Sequence, residues 1–114
     1  MKSPITTHIL DLATGSPAAG VPVDLEIRDG NAWHHAGDGL TDSDGRVGQL
    51  MPVGMTLVAG TYRLTFHTED HHRRAGREAF HPRVCIEFCV VSLEEHYHIP
   101  LLLSPFGYST YRGS

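Results

Sequence analysis

Hydrophobic residues recur at every second position along most of this chain. In residues 21–28, for example, aliphatic side chains occupy alternate positions, as on one face of a half-buried β-strand. The same alternation appears in residues 5–10, 62–67, 83–90 and 96–103, and segments rich in Gly, Pro, Asp and Ser separate the runs. Short strands at this spacing predict an all-β fold, either an antiparallel sandwich or a barrel.

One segment departs from this alternation. Residues 68–79 are predicted to contain a short helix, because Thr68 can cap it, acidic residues follow in its first turn, and arginines precede its expected end at Gly76. There is no internal repeat or linker, and a length of 114 residues suits one domain. We therefore expect a single domain spanning residues 1–114.

The composition excludes several classes of partner. Thirteen acidic residues against nine basic ones give a net charge of −4, whereas a nucleic-acid phosphate backbone requires a basic face. No apolar stretch approaches the about 20 residues of a membrane span, and the N-terminal segment lacks the apolar core of a secretory signal. We expect a cytoplasmic protein that binds neither nucleic acid nor membrane.

The two cysteines are also consistent with a cytoplasmic protein. Cys85 and Cys89 lie four positions apart, so on a strand they would face one side but sit too far apart for a disulfide. They are expected to be free thiols packed as small apolar groups, as is usual in a reducing compartment.

Histidine is unusually frequent, with nine in the chain. Two pairs, His34–His35 and His71–His72, lie in polar segments that resemble loops, and we expect most of these side chains to be solvated. None has the spacing of a tight zinc motif. Dispersal over loops and separate strands argues against a histidine-rich metal binder, and no metal ligand is predicted.

The outward faces of two predicted strands carry few charged side chains. Residues 96–103 place His96, His98, Pro100 and Leu102 opposite the core face, and the strand before it adds cysteines on its outer side. Apolar groups on the outside of a sheet indicate that a second copy of the chain covers them. A homo-oligomer is therefore expected.

Candidate chemistry lies on the same outer faces and at the C-terminal end. His8 and His98 both project opposite core residues, Arg46 closes the turn of residues 41–46, and the tail carries Tyr111 and Arg112. Each has an ordinary alternative: a structural histidine, an exposed hairpin arginine, or a last edge strand with an ordered end. Together they suit hydrolysis of a small, planar, oxygen-rich anion, in which histidine activates water and arginine holds the oxygens.

Five blocks of sequence resemble the 5-hydroxyisourate hydrolase family, the transthyretin-related enzymes of urate breakdown. The tail Tyr111-Arg112-Gly113-Ser114 matches the hallmark tetrapeptide of that family, which transthyretin hormone carriers lack. The other blocks are residues 6–21, 41–46, 59–66 and 96–105. They occur in order over nearly the whole chain, so the resemblance favours the hydrolase over the carrier.

The resemblance implies a transthyretin-like β-sandwich of about eight strands with one short helix. It also implies a homotetramer with a central channel and active sites at the contact between dimers. The expected reaction opens the six-membered ring of 5-hydroxyisourate to give 2-oxo-4-hydroxy-4-carboxy-5-ureidoimidazoline, without a metal or organic cofactor. The residues it assigns are His8, Arg46, His98 and Ser114 for catalysis, and His8, Arg46, Tyr111 and Arg112 for substrate binding.

Two matters stay open at this point. Which histidine takes the proton from water does not follow from the sequence, and the runner-up function is a carrier that binds a hydrophobic ligand in its channel. The chain also departs from the family pattern at the helix start, residues 69–72, and at residues 80–82. Those departures affect local helix packing and lie away from the matched site residues.

Overall fold

The computed structural model describes residues 3–114, which form nine strands and one helix. In chain order these are β1 (Ile5–Asp11), β2 (Ser16–Pro17), β3 (Pro22–Asp29), β4 (Ala32–Leu40), β5 (Arg46–Val47), β6 (Gly60–Phe66), α1 (Glu69–Arg74), β7 (Val84–Val90), β8 (Tyr97–Leu103) and β9 (Tyr108–Thr110). Two of the strands, β2 and β5, have only two residues each. No helix within residues 3–114 is long and apolar enough to cross a membrane.

The strands form two sheets that pack around one core, so the predicted all-β sandwich is confirmed. One sheet has the order β2-β1-β8-β9, with β5 paired to β1, and the other has the order β4-β3-β6-β7. The faces predicted to point inward do so: Ile9, Leu25, Leu64 and Leu101 have no exposed surface. Burying a side chain of this size stabilises the fold by about 1.5–3 kcal/mol.

The strand spacing had suggested a purely antiparallel sandwich, but one pair of strands is parallel. Strands β1 and β8 pair in parallel, with Thr6 opposite His98 and His8 opposite Pro100. A period-two pattern is the same in both orientations, and parallel partners far apart in sequence leave no hairpin signal between them. This pairing matters for the site, because it brings the outward face of β1 beside the outward face of β8.

Strand β4 was missed, and the expectation that His34 and His35 lie in a loop is wrong. Both histidines lie on β4, which pairs with β3. A side chain at Gly37 would come within 2.0 Å of the Leu50 carbonyl oxygen, and one at Gly39 within 2.5 Å of Val47. Glycine is required where another chain segment approaches this closely, so the strand lacks the apolar alternation that would have identified it.

The helix is present but shorter than residues 68–79. It spans Glu69–Arg74, and Gly76 follows with φ +73°, a conformation that glycine adopts without strain. Thr68 occupies the N-cap position without making a side-chain cap, since its hydroxyl donates to the carbonyl of His81. The local sequence does not show that a carbonyl 13 residues away competes with the helix for this hydroxyl.

The histidines of the helix are not solvated, contrary to expectation. The His71 Nε2 atom lies 2.7 Å from Asp11 Oδ2, and the His72 side chain is buried at 1% exposure with neither ring nitrogen hydrogen-bonded. Arg77 donates two hydrogen bonds to the same Asp11 carboxylate. These contacts fix the helix to the end of β1, the strand that carries His8.

The cysteines are confirmed as free thiols, but they are exposed on β7 within the single chain. Their expected packing as small apolar groups is therefore not seen inside the sandwich. Val91, just beyond the strand, is 81% exposed. The outer side of this edge strand thus carries small apolar groups that face solvent in one chain.

Candidate functional site

A surface cleft of about 440 Å³ lies on the outward face of the sheet that contains β1, β5 and β8. Five of the six residues selected from the sequence line it, although they come from four separate stretches of chain. These five are His8, Arg46, His98, Tyr111 and Ser114, and the same cleft is also lined by Thr6, His96, Pro100 and Gly113.

His8 and Arg46 are direct neighbours across two strands. They are paired in the antiparallel β1–β5 ladder, in which side chains of opposed residues lie on the same face with Cβ atoms about 4.5–5.5 Å apart. The His8 and Arg46 side chains therefore leave the sheet next to each other on the same face, and both line the cleft.

The turn before Arg46 fixes the position of that residue. The Asp42 carboxylate accepts hydrogen bonds from the backbone N–H groups of Asp44 and Arg46, at 2.9 and 3.0 Å. Hydrogen bonding from the backbone N–H of Arg46, with that of Asp44, outweighs desolvation and lowers the pKa of Asp42. Gly45 has φ +74°, and a side chain there would come within 2.5 Å of the Ile9 carbonyl oxygen. The Asp-x-x-Gly-Arg spacing thus encodes a rigid turn that presents the arginine.

The Arg46 guanidinium is available to a ligand. Four other arginines in residues 3–114 form ion pairs with carboxylates within the chain, namely Arg63, Arg73, Arg77 and Arg112. Arg46 is exposed and makes no such pair among the described residues. Its planar donor groups suit paired oxygens on an anionic or strongly polarised substrate.

A threonine hydroxyl contacts one edge of the His98 ring. Thr6 lies opposite His98 in the parallel ladder, and its Oγ1 atom is 2.9 Å from His98 Nδ1 and 2.8 Å from His96 Nε2. Thr6 is 6% exposed, so this hydroxyl lies beneath the cleft surface. The hydroxyl thus fixes the Nδ1 edge of the His98 ring, and His98 also lines the cleft.

The C-terminal tail folds back over His98. Strand β9 pairs with β8, and the backbone N–H of Gly113 donates to the His98 carbonyl at 2.8 Å. A side chain on Gly113 would lie 2.6 Å from His98 Cδ2 and 3.3 Å from Pro100 Cγ. The glycine of the tetrapeptide is therefore needed for close packing against the imidazole ring, and it places Tyr111 and Ser114 at the rim of the cleft.

Arg112 lies outside this cleft. Its guanidinium stacks 4.5 Å above the Tyr97 ring, and its Nη2 atom lies 3.3 Å from Glu95 Oε1. Arg112 is not among the residues that line the cleft. It borders a smaller cavity of about 260 Å³ near Phe88, and Tyr111 lines both that cavity and the cleft. Direct contact between Arg112 and substrate therefore stays a prediction.

Two residues that line the cleft beside His98, Thr6 and His96, were given no site role from the sequence, whereas Gly113 belonged to the matched tail. Thr6 shares the outward face of its strand with His8, and His96 shares that of His98, so alternation marks both as candidates. The signal that links them, the parallel register of β1 and β8, is absent from the sequence pattern. Among residues 3–114, no group of three or more His, Cys, Asp or Glu side chains is placed to hold a metal ion.

Fold and cleft together define a transthyretin-like β-sandwich in which histidines and an arginine line a cleft on the outward face of one sheet. The chain belongs to the HIUase/Transthyretin family, whose model matches residues 5–113. This confirms the family resemblance found in the sequence.

Individual relatives carry the comparison further. A protein from Caulobacter vibrioides named 5-hydroxyisourate hydrolase is 47% identical, and the match covers 98% of this chain and 99% of that one. The solved 5-hydroxyisourate hydrolase of Klebsiella pneumoniae is 40% identical with a TM-score of 0.82, covering 96% of this chain and 97% of that one. Transthyretin from Sparus aurata is 30% identical with a TM-score of 0.88, covering 96% of each chain.

Proposed function

We propose that this chain is a single hydrolase domain, residues 1–114, that hydrolyses 5-hydroxyisourate to 2-oxo-4-hydroxy-4-carboxy-5-ureidoimidazoline in urate breakdown. The observation that carries the proposal is the convergence of His8, Arg46, His98 and the tail on one cleft in a member of this family. Relatives that bear the hydrolase name match nearly the full length of the chain.

The proposed chemistry is direct attack of water on a carbonyl of the six-membered ring. A histidine, His8 or His98, takes a proton from water as its oxygen bonds to the carbonyl carbon. The tetrahedral intermediate then collapses, the ring C–N bond breaks, and the leaving nitrogen receives a proton. Arg46 stabilises the oxyanion, because a fixed guanidinium is already oriented toward the developing charge.

The tail supplies the remaining proposed contacts. The Tyr111 phenol lines the cleft and is suited to hydrogen-bond a substrate oxygen, while Ser114 is placed to orient a histidine or the water. Arg112 reaches substrate only if its side chain leaves Tyr97 and Glu95, or if a neighbouring subunit's cleft lies on that side. The cleft residues themselves supply a proton acceptor and an oxyanion partner, so no cofactor enters the proposed reaction.

A homotetramer is the proposed assembly. Strands β7 and β9 each end a sheet, and the three residues of β9 are all exposed. Unpaired edge strands are templates for pairing with another copy. Exposed Tyr111 in the cleft wall and Phe106 in the turn between β8 and β9, at 58% and 64%, add aromatic surface to this sheet. Light scattering on the purified protein should give the mass of four chains, and a monomeric mass at assay concentration would contradict this assembly.

The exposed thiols of Cys85 and Cys89 support the proposal of a reducing, cytoplasmic location.

The test is a kinetic assay on freshly prepared 5-hydroxyisourate. The protein should accelerate the loss of its ultraviolet absorbance relative to spontaneous decay, and His98→Asn should reduce this acceleration strongly while leaving the oligomer intact. A wild-type protein that does not exceed the spontaneous rate would end the proposal.

The carrier alternative has one observation in its favour, since the fold is as similar to a transthyretin as to a hydrolase. The cleft is nevertheless polar, with three histidines and an arginine where a carrier of hydrophobic ligands needs apolar walls. Equilibrium binding of an iodinated aromatic, together with no hydrolysis, would favour the carrier.

A further inference from the structure

We propose that Thr6 is the positioning residue for His98, and that its hydroxyl group, anchored by His96, makes His98 the residue that takes the proton from water. This inference rests on the proposed function and goes beyond it by assigning which group donates and which accepts in each hydrogen bond of Thr6. It concerns two residues, Thr6 and His96, that neither the family resemblance nor the sequence pattern had assigned.

The geometry around the hydroxyl is closely defined. Thr6 Oγ1 lies within 2.9 Å of a nitrogen of each imidazole, Nδ1 of His98 and Nε2 of His96. A β-branched side chain on a strand has restricted χ1 freedom, and the parallel pairing of Thr6 with His98 fixes their separation. The hydroxyl is thus a fixed bridge between two rings.

The number of protons in the bridge limits its arrangement. A hydroxyl has one proton to donate and can accept from other groups. If Thr6 donates to His98 Nδ1, neutral His98 carries its proton on Nε2 and cannot accept another there. If His98 Nδ1–H donates to Thr6 and Thr6 donates to His96, neutral His98 has a lone pair on Nε2.

The second arrangement is the one that supports water activation. When His98 takes a proton from water at Nε2, the resulting imidazolium keeps its Nδ1–H bond to Thr6, and that bond strengthens because its donor is now charged. On the other side of the same ring the tail comes so close that a Cβ on Gly113 would lie 2.6 Å from His98 Cδ2. The ring is therefore held by the Thr6 hydroxyl at Nδ1 and by the tail near Cδ2, within a residue that lines the cleft.

Matched threonine variants test the positioning role. Thr6→Val removes the hydroxyl and preserves the shape, whereas Thr6→Ser keeps the hydroxyl. We expect Thr6→Val to lower kcat by about tenfold or more with KM within about threefold, and Thr6→Ser to retain most of kcat, since general-base catalysis contributes about 10²–10⁴-fold. Thr68→Val is the control, because Thr68 is also buried and its hydroxyl donates to a carbonyl far from the cleft.

A spectroscopic measurement separates this inference from the proposed function. In ¹⁵N-histidine-labelled wild-type protein, neutral His98 should be protonated on Nδ1, with its signal assigned by its loss in His98→Asn. Thr6→Val should give a mixture of tautomers. A wild-type His98 protonated on Nε2, or a Thr6→Val enzyme with unchanged kcat, would overturn the assignment.

The tautomer of His98 is measurable even if 5-hydroxyisourate is not the substrate. A negative activity assay and a His98 protonated on Nε2 are therefore distinct results. If Thr6→Val does not fold, the wild-type tautomer together with the kcat of Thr6→Ser still decides the question.

Discussion

At the scale of single residues, the site depends on close packing as much as on chemistry. His8 and Arg46 are placed by strand pairing, and His98 is placed by the Thr6 hydroxyl at Nδ1 and by the tail near Cδ2. Glycine is required at position 113 because a side chain there would collide with the imidazole ring. A change that moves the imidazole should therefore impair the reaction without unfolding the protein.

Gly113→Ala is the first test of this packing. The added Cβ would lie 2.6 Å from the His98 ring, so either the ring or the tail must shift. Misplacement of a catalytic group by about 1 Å can cost about 100-fold in rate, and we expect a large loss of kcat with little change in the urea midpoint of unfolding. Gly107→Ala, where an added Cβ meets nothing within 4 Å, should behave as wild type. Equal activity of both variants would contradict the packing role.

Arg46→Lys tests the guanidinium. Lysine keeps the positive charge but loses the planar pair of donors, so kcat/KM for 5-hydroxyisourate should fall by about 10–100-fold, the value of one or two charge-assisted hydrogen bonds. Arg73→Lys is the matched control, since Arg73 pairs with Glu69 on the exposed side of the helix. An Arg46→Lys enzyme with wild-type kinetics would show that only charge is needed at this position.

At the scale of elements, the helix is tied to β1 by a buried ionic cluster. Burial alone would raise the pKa of Asp11, but hydrogen bonds from Arg77 and His71 outweigh it and hold that pKa well below its usual range. Burial, followed by the positive charges of Arg77 and His71, lowers the pKa of His72. Both groups therefore resist protonation in the folded state.

The stability of the protein should fall on acidification in two stages. Below about pH 6.5 the unfolded chain protonates His72 while the folded chain does not, and below about pH 4 the same holds for Asp11. Each group contributes a slope of at most about 1.4 kcal/mol per pH unit. The measurement is the free energy of unfolding in urea from pH 8 to pH 3.

A His72→Leu variant separates the two stages. Leucine cannot titrate, so the wild type should lose stability relative to the variant as the pH falls below about 6.5, and this loss should end only where the folded protein itself protonates His72. Parallel curves over the whole range would mean that His72 is protonated equally in both states.

Sequence alternation predicted the elements whose side chains fill the core and failed where backbone fills it. The inward residues of β6, such as Leu64 and Phe66, are fully buried as expected. Strand β4 escaped because its inner face at Gly37 meets the Leu50 carbonyl rather than a side chain. At the site, alternation placed His8 and His98 on outward faces, but it could not show Thr6 between two histidines, since that requires the β1–β8 register.

At the scale of the whole molecule, the fold does not distinguish a hydrolase from a carrier. The chain superimposes on a transthyretin with a TM-score of 0.88 and on a hydrolase with one of 0.82. Function therefore depends on which residues lie on the outward face of the sheet that contains β1 and β8. The tail is the natural place to test this, because it lines the cleft and, in the family pattern, differs between the two classes.

Removal of residues 111–114 tests the tail directly. Three of these residues are exposed and none belongs to the core, so the truncated chain should keep its circular dichroism spectrum and nearly its unfolding midpoint. Hydrolysis of 5-hydroxyisourate should nevertheless fall to the spontaneous rate, since Tyr111 and Ser114 are lost from the cleft and His98 loses the Gly113 contact. A truncated protein with full activity would show that the tail takes no part in hydrolysis.

Arg112→Ala resolves what the arginine itself contributes. In the single chain its guanidinium anchors the tail on Tyr97 and Glu95, so its loss should loosen the tail and reduce kcat less than truncation does. Glu95→Gln weakens the same anchor without touching the arginine, and we expect it to reproduce part of the effect. If Arg112→Ala is instead as inactive as the truncation while Glu95→Gln is normal, the arginine contacts substrate directly, and its position in the single chain must change when the assembly forms.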